Sequence, residues 1–207
     1  FDLYSTVLDQ AYYGMDKETP KTNLAVEQTK DLIIAYNGQP IWALYHSNCG
    51  GKTIQGNLVF PNRLKPEDNY LLPTECPYQG KEWQTKIEFY TLKKILQKLT
   101  KNQVYSIDNI YVNNFKTYIV YNKEMVYSIY NWEIRKLVGY NVIRSPYITK
   151  ISVNDDGIWI KGTGFGHGVG LCQFGANTLA KNGFNYKEIL LYYYQNVEIV
   201  KIDEIFK

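Results

Sequence analysis

Apolar and polar residues alternate most clearly between positions 31 and 47. The segments DLIIAY and PIWALYHS flank Asn37-Gly38. That dipeptide readily supplies the two positive φ angles of a type I′ turn, so the pattern predicts a hairpin with its register fixed there. The second strand is expected to deliver His46, Ser47, Asn48 and Cys49 at its far end, against Gly50-Gly51. Upstream, NLAVEQTK (23–30) reads as a short helix, and residues 1–14 read as extended or irregular. Four prolines between 57 and 80 predict a long surface loop.

Residues 81–141 have a different texture. Leu92, Ile95, Leu96 and Leu99 in TLKKILQKL stand at helical spacing. NIYVNN, TYIVYN and MVYSIYNWEI read as strands, and 145–162 as a further hairpin turning at Asp155, Asp156 and Gly157. LCQFGANTLAK predicts a helix ended by Asn182-Gly183. Asn185 opens the next helix, with Glu188 placed to complete a capping box. The prediction is an α+β fold: a mixed, β-rich core with a few helices. The core is assigned to 1–80 and 142–207, with 81–141 as an inserted middle subdomain projecting from it. Within the core, the 20s to 50s are expected to pack against the 140s to 190s.

Composition adds limits. The 207 residues are 45% hydrophobic, enough for a real core, and include 20 tyrosines. Tyrosine has an apolar body and a polar tip, which suits strands, half-buried surfaces and sugar-facing clefts. The net charge is +3 without a clustered basic face. Lys93, Lys94, Lys98 and Lys101 read as a solvated helix face, and no nucleic-acid partner is expected. No apolar run reaches the length of a membrane span. The chain starts at Phe1 rather than Met, so any export signal is expected upstream. Cys49, Cys76 and Cys172 make an odd count. Cys49 and Cys76 are a candidate disulfide if the protein is exported, and three separate buried thiols are the equal alternative.

Only two histidines occur, and both adjoin glycines. His46 precedes Asn-Cys-Gly-Gly, and His167 lies within GTGFGHGVG, residues 162–170. Glycine at every second position weakens both helix and strand, so that run must let backbone approach something closely. Bare N–H groups just before a helix suit an acceptor-rich ligand such as a sugar or an anion. Neither the dinucleotide fingerprint nor the P-loop fits. If the two segments meet, His46, Cys49, His167 and Cys172 could form a metal site or a thiol-based catalytic pair. Their spacing belongs to no familiar zinc signature, so neither a metal nor another cofactor is expected. Glycan cleavage requires a carboxyl group to protonate the glycosidic oxygen. Glu27 and Glu75 read instead as solvated surface.

GFGHGVGLCQFGANTLAKNGFNYKEILLYYY (164–194) closely resembles the C-terminal signature of the SpoIID family, which comprises stage II sporulation protein D and its amidase-enhancer relatives. AVEQTKDLIIAYNGQPIWALYHSNCGGKT (25–53) resembles a second family block, and YLLPTECPY and RKLVGYNVIRS resemble weaker ones. The resemblance implies a lytic transglycosylase that cuts between MurNAc and GlcNAc in peptide-stripped peptidoglycan. The alternative it implies is a non-catalytic glycan-binding module or amidase enhancer. By motif position, His46, Ser47, Asn48, Gly50, Gly51 and Thr53 would line one side of a glycan cleft. Gly166, His167, Gly168, Gly170 and Gln173 would line the other, with His167 and Ser47 as contacts to substrate or supports for the acid. The family's catalytic glutamate would precede Phe1. The Cys/His zinc block of some members matches residues 2–13, where DLYSTVLDQAYY has neither residue type. Implied partners are glycan strands, a cell-wall amidase, and the chain's own N-terminal segment as a separate chain. The implied location is the cell envelope, outside the cytoplasmic membrane.

Overall fold

The computed structural model describes residues 15–206, so the reading of 1–14 lies outside the described residues. Among the described residues, seven α-helices and eleven strands in several small sheets make the fold α+β, as the pattern predicts. None of the described helices is long and apolar enough to cross a membrane. The chain divides into two compact units, Phe1–Pro40 with Glu198–Lys207, and Ile41–Val197.

In the first unit, Thr19 caps the helix Pro20–Gln28, its side chain accepting the backbone N–H of Thr22. Proline at the first helical position is preorganised for that start, which places the helix three residues earlier than the apolar pattern suggests. Strand Leu32–Tyr36 pairs antiparallel with Glu198–Lys201 on one side and with Gln39–Pro40 on the other. Asn37 and Gly38 have φ of 50° and 72°, the expected turn. The second hairpin strand is far shorter than predicted. Only Gln39 and Pro40 pair, and the extended register does not run on to His46.

The second unit holds two apolar clusters. The larger contains Trp83, Ile87, Leu92, Leu96, Ile110, Ile119, Ile129, Ile134, Ile143, Ile158 and Ile160. The strand Glu82–Ile87 is hydrogen-bonded along its length to Gly157–Thr163, which also pairs with Ile148–Asn154. Residues 81–141 and the 145–162 hairpin are therefore built on one another through a shared sheet and core. The helix Phe89–Thr100 buries Leu92 and Leu96 in that core. The three predicted strands, Ile107–Asn113, Lys116–Tyr121 and Met125–Tyr130, pair in sequence order as an antiparallel meander. The third strand ends earlier than MVYSIYNWEI suggests. Glu133 accepts the Tyr130 backbone N–H at 3.1 Å and starts the helix Asn131–Val138.

The smaller cluster contains Cys49, Cys76, Cys172, Leu179, Ile189 and Tyr193. The helices Gln173–Lys181 and Tyr186–Tyr193 supply its apolar side chains. The capping box of Asn185 and Glu188 is present, with Asn185 Oδ1 accepting from Lys187 and Glu188 and Glu188 Oε2 accepting from Asn185 N. Residues 57–80 are loop apart from one short helix, Gly56–Val59.

Candidate functional site

Two short parallel strands, Tyr45–His46 and Leu171–Cys172, bring the two glycine-rich segments together across more than a hundred residues of chain. Asn48 and Phe165 extend this link by exchanging backbone hydrogen bonds at 3.0 and 2.9 Å. Phe174 N–H donates to Ser47 O at 3.1 Å, and Leu171 N–H to Leu44 O at 3.0 Å. Gly164, Gly166, Gly168 and Gly170 all have positive φ. At Gly170 a side chain would also collide with the Leu44 carbonyl. Alternating glycine therefore has a local reason: the loop must lie backbone to backbone against 44–50.

Both histidines grip one residue of that loop. Val169 N–H donates to His167 Nδ1 at 3.1 Å, so the His167 proton is on Nε2, which donates to Tyr45 O at 2.8 Å. His46 Nδ1 lies 3.0 Å from Val169 O, an atom that only accepts, so His46 carries its proton there. Val169 is fully buried. The imidazoles stand 5.4 Å apart between ring centroids, and Phe60 meets His167 edge-on at 5.5 Å. Burial pushes His46 down to about 3, helped by His167. Burial and then the charge of Arg135 push His167 down to about 4. Both rings are neutral near pH 7.

The predicted site residues therefore sort by depth. His46 (4% exposed), Asn48 and Thr53 are buried, as are Gly168 and Gly170. Thr53 holds the fold rather than a ligand, since its Oγ1 accepts Thr74 N–H at 2.7 Å. Ser47, Gly50, Gly51, Gly166 and His167 are half-buried, and Gln173 is exposed at the start of its helix. Of the two cysteine readings, the structure carries the three buried thiols: Cys49, Cys76 and Cys172 are unlinked and share one cluster, without a Cys49–Cys76 disulfide. Within it Cys76 gives up its proton most readily, because Cys172, Cys49 and the Tyr193 hydroxyl donate to it. The Cys49 thiol is pushed up by its two neighbours and by burial.

Sequence reasoning missed the aromatic side chains around these loops. Tyr45 (43%), Phe165 (44%) and Phe174 (45%) are exposed, although each belongs to a residue whose backbone joins the two segments. Tyr78 leans on Phe174 at 4.9 Å. Trp42 packs edge-on to Phe60 at 5.1 Å, with the Arg63 guanidinium over the Trp42 ring at 4.9 Å. The available signal was a large apolar residue between glycines, as at Phe165. Glu75 is on the surface, ion-paired with Lys52 at 2.7 Å.

Fold and site together define a class: an α+β protein in which a His-Ser-Asn-Cys-Gly-Gly turn and a glycine-alternating loop are laced backbone to backbone under exposed aromatic rings. No protein-family model matches the chain. Individual relatives do. Over 98% of its length the chain is 28% identical to stage II sporulation protein D of Bacillus subtilis, and over 88% it is 26% identical to the amidase enhancer of the same organism. It is also 31% identical, over its whole length, to an uncharacterised protein of Brachyspira hyodysenteriae. These similarities over most of the chain support the SpoIID family. It spans only 59%, 33% and 56% of those three relatives' own lengths.

Proposed function

We propose that this chain is the glycan-holding part of an exported cell-wall-remodelling protein. In this reading the whole protein is a lytic transglycosylase that cuts MurNAc–GlcNAc bonds in peptide-stripped strands, with its acid/base glutamate supplied from upstream of Phe1. The observation that carries the reading is the group of exposed rings Tyr45, Phe165 and Phe174, fixed on the same backbone links that join the histidine turn to the glycine loop. A pyranose offers an apolar C–H face and a rim of hydroxyls. Aromatic faces take the first, and half-buried glycine backbone at Gly50, Gly51 and Gly166 takes the second. Lacing the loops together preorganises both sets, so little ordering entropy opposes binding.

The test has two parts. Purified peptide-free glycan should sediment the chain, and replacing Tyr45, Phe165 and Phe174 together by alanine should weaken that binding about tenfold or more, roughly 1.4 kcal/mol. Failure of the unmodified chain to sediment would end the reading. Mass spectrometry of products made by the full-length protein then identifies the chemistry: anhydro-muramyl ends mark a transglycosylase, reducing ends a hydrolase. The amidase-enhancer relative favours a second reading, in which the chain binds glycan and assists a separate amidase. Binding without any cleavage by the full-length protein would select it.

A further inference from the structure

Three potential ligands meet beneath the His-Ser-Asn-Cys-Gly-Gly turn, and a fourth, Cys76, packs in the same buried cluster. Cys49 Sγ, Cys172 Sγ and a ring nitrogen of His46 all lie within 4.8 Å of one another. Cys76 shares the buried cluster of both thiols, and a methyl group on Gly175 would strike its Sγ. All four residues are buried, and they come from three separate stretches of the second unit, with His46 and Cys49 in the same turn.

We propose that Cys49, Cys76, Cys172 and His46 form a Cys3His site for a structural zinc ion. Tetrahedral zinc, with Zn–S of about 2.3 Å and Zn–N of about 2.0–2.1 Å, sets its ligand atoms roughly 3.5–3.8 Å apart. The three clustered groups need only contract slightly to meet that. An independent observation is the state of His46. Its Nδ1–H is spent on Val169 O, which fixes the tautomer and leaves Nε2 as a lone pair, and Nε2 is buried with no hydrogen-bond partner among the described residues. A ring held through one nitrogen by a backbone carbonyl, with the other nitrogen free, is how metal-ligating histidines are oriented.

The surroundings supply the donors that bound thiolates require. Gly175 N–H points at Cys172 Sγ at 3.3 Å, and the Tyr193 hydroxyl is 3.2 Å from Cys76 Sγ. Gly175 is itself pressed so close that a side chain there would strike Cys76 Sγ and Tyr193 Oη. Binding would convert three thiols to thiolates and release their protons to solvent, while His46 enters as neutral imidazole. With four protein ligands the coordination is closed, so the ion would have no position for substrate and would act as a staple. That role suits this part of the unit, where two-residue strands and loops surround a small apolar cluster.

The full chain, purified after expression with zinc, should carry one zinc by elemental analysis and keep it through gel filtration. Ellman's reagent should find three thiols, reactive only after denaturation with a chelator. Cobalt in place of zinc should give the visible bands of a tetrahedral ion and a thiolate charge-transfer band of the strength expected for three sulfurs. Cys76→Ser and His46→Gln should each lose the metal to a chelator that the unmodified chain resists. The cobalt titration needs no variant, so a folding failure in either substitution leaves the proposal open to refutation. Three thiols with no metal after refolding in zinc would overturn it. So would a single free thiol beside a disulfide, or equal retention of metal by both variants.

Discussion

Replacing His167 by alanine separates a structural clasp from a ligand contact. The imidazole makes two backbone hydrogen bonds, one from Val169 N–H and one to Tyr45 O. Their fates on removal differ. Tyr45 is exposed, so water can take over its carbonyl at little cost. Val169 is fully buried, so its N–H would be left unpaired, at about 1–3 kcal/mol. Loss of the edge-on contact with Phe60 adds about 0.5–1.5 kcal/mol. Including the net worth of the bonds themselves, His167→Ala should destabilise the chain by about 3 kcal/mol.

Urea unfolding followed by tryptophan fluorescence measures this directly. With an m-value of about 2 kcal/mol/M, the midpoint should fall by roughly 1.5 M with the slope unchanged. His167→Gln, whose amide can both donate and accept, should recover part of the loss. His167→Phe keeps the packing and recovers less. The reasoning is refuted if His167→Ala leaves the midpoint within about 0.3 M while glycan binding disappears, because the ring would then act on ligand rather than on backbone.

Gly170→Ala should cost at least about 3 kcal/mol or prevent folding, since φ is +69° and the new methyl would overlap the Leu44 carbonyl. Gly183→Ala, at φ +93° but in open space, should cost only about 1–2 kcal/mol; thermal melts of the two would rank them. Asn131 is buried, accepts from Thr117 Oγ1 and donates to Pro146 O, both at 2.9 Å. Asn131→Ala should therefore lose about 2–4 kcal/mol by chemical denaturation, and a loss under about 0.5 kcal/mol would show these bonds to be worth nothing. Acidification should also destabilise the chain through His167. Its folded value of about 4 lies below the ordinary 6.5, so the unfolded chain takes up the proton first. That contribution is complete above pH 6.5 and drains away toward pH 4; a denaturation midpoint that rises between pH 7 and pH 5 would contradict it.

Local chemistry was legible wherever the answer lay within a few residues. Asn37-Gly38 announced its own turn, and Asn185 with Glu188 announced its own cap, because each motif supplies the atoms that satisfy it. The alternating glycines could be read as a place of close approach, though not what they approach. The partner strand, Tyr45–His46, is two residues long and pairs across more than a hundred positions, which leaves no periodic trace. The second hairpin strand is shorter than its pattern for a related reason. Alternation continues through 41–46, but past Pro40 those residues no longer pair with Leu32–Tyr36.

The histidines show most clearly why motif residues and contact residues need not coincide. Both stand in the glycine-rich motifs, and both were natural candidates to face a ligand. His46 is interior and His167 has both nitrogens engaged by backbone, so each hydrogen bond they make holds the motif's own chain. A glycine loop gains closeness by giving up side chains, and it loses the packing that would otherwise fix it. Something else must then hold it still, and here two rings hold Val169 from its N–H and its carbonyl. The large side chains left exposed on that frame are aromatic, Tyr45, Phe165 and Phe174, beside the polar Gln173. Within this pair of loops, the large rings on the surface are therefore ones that carry no motif, while the motif's own histidines maintain the frame that presents them.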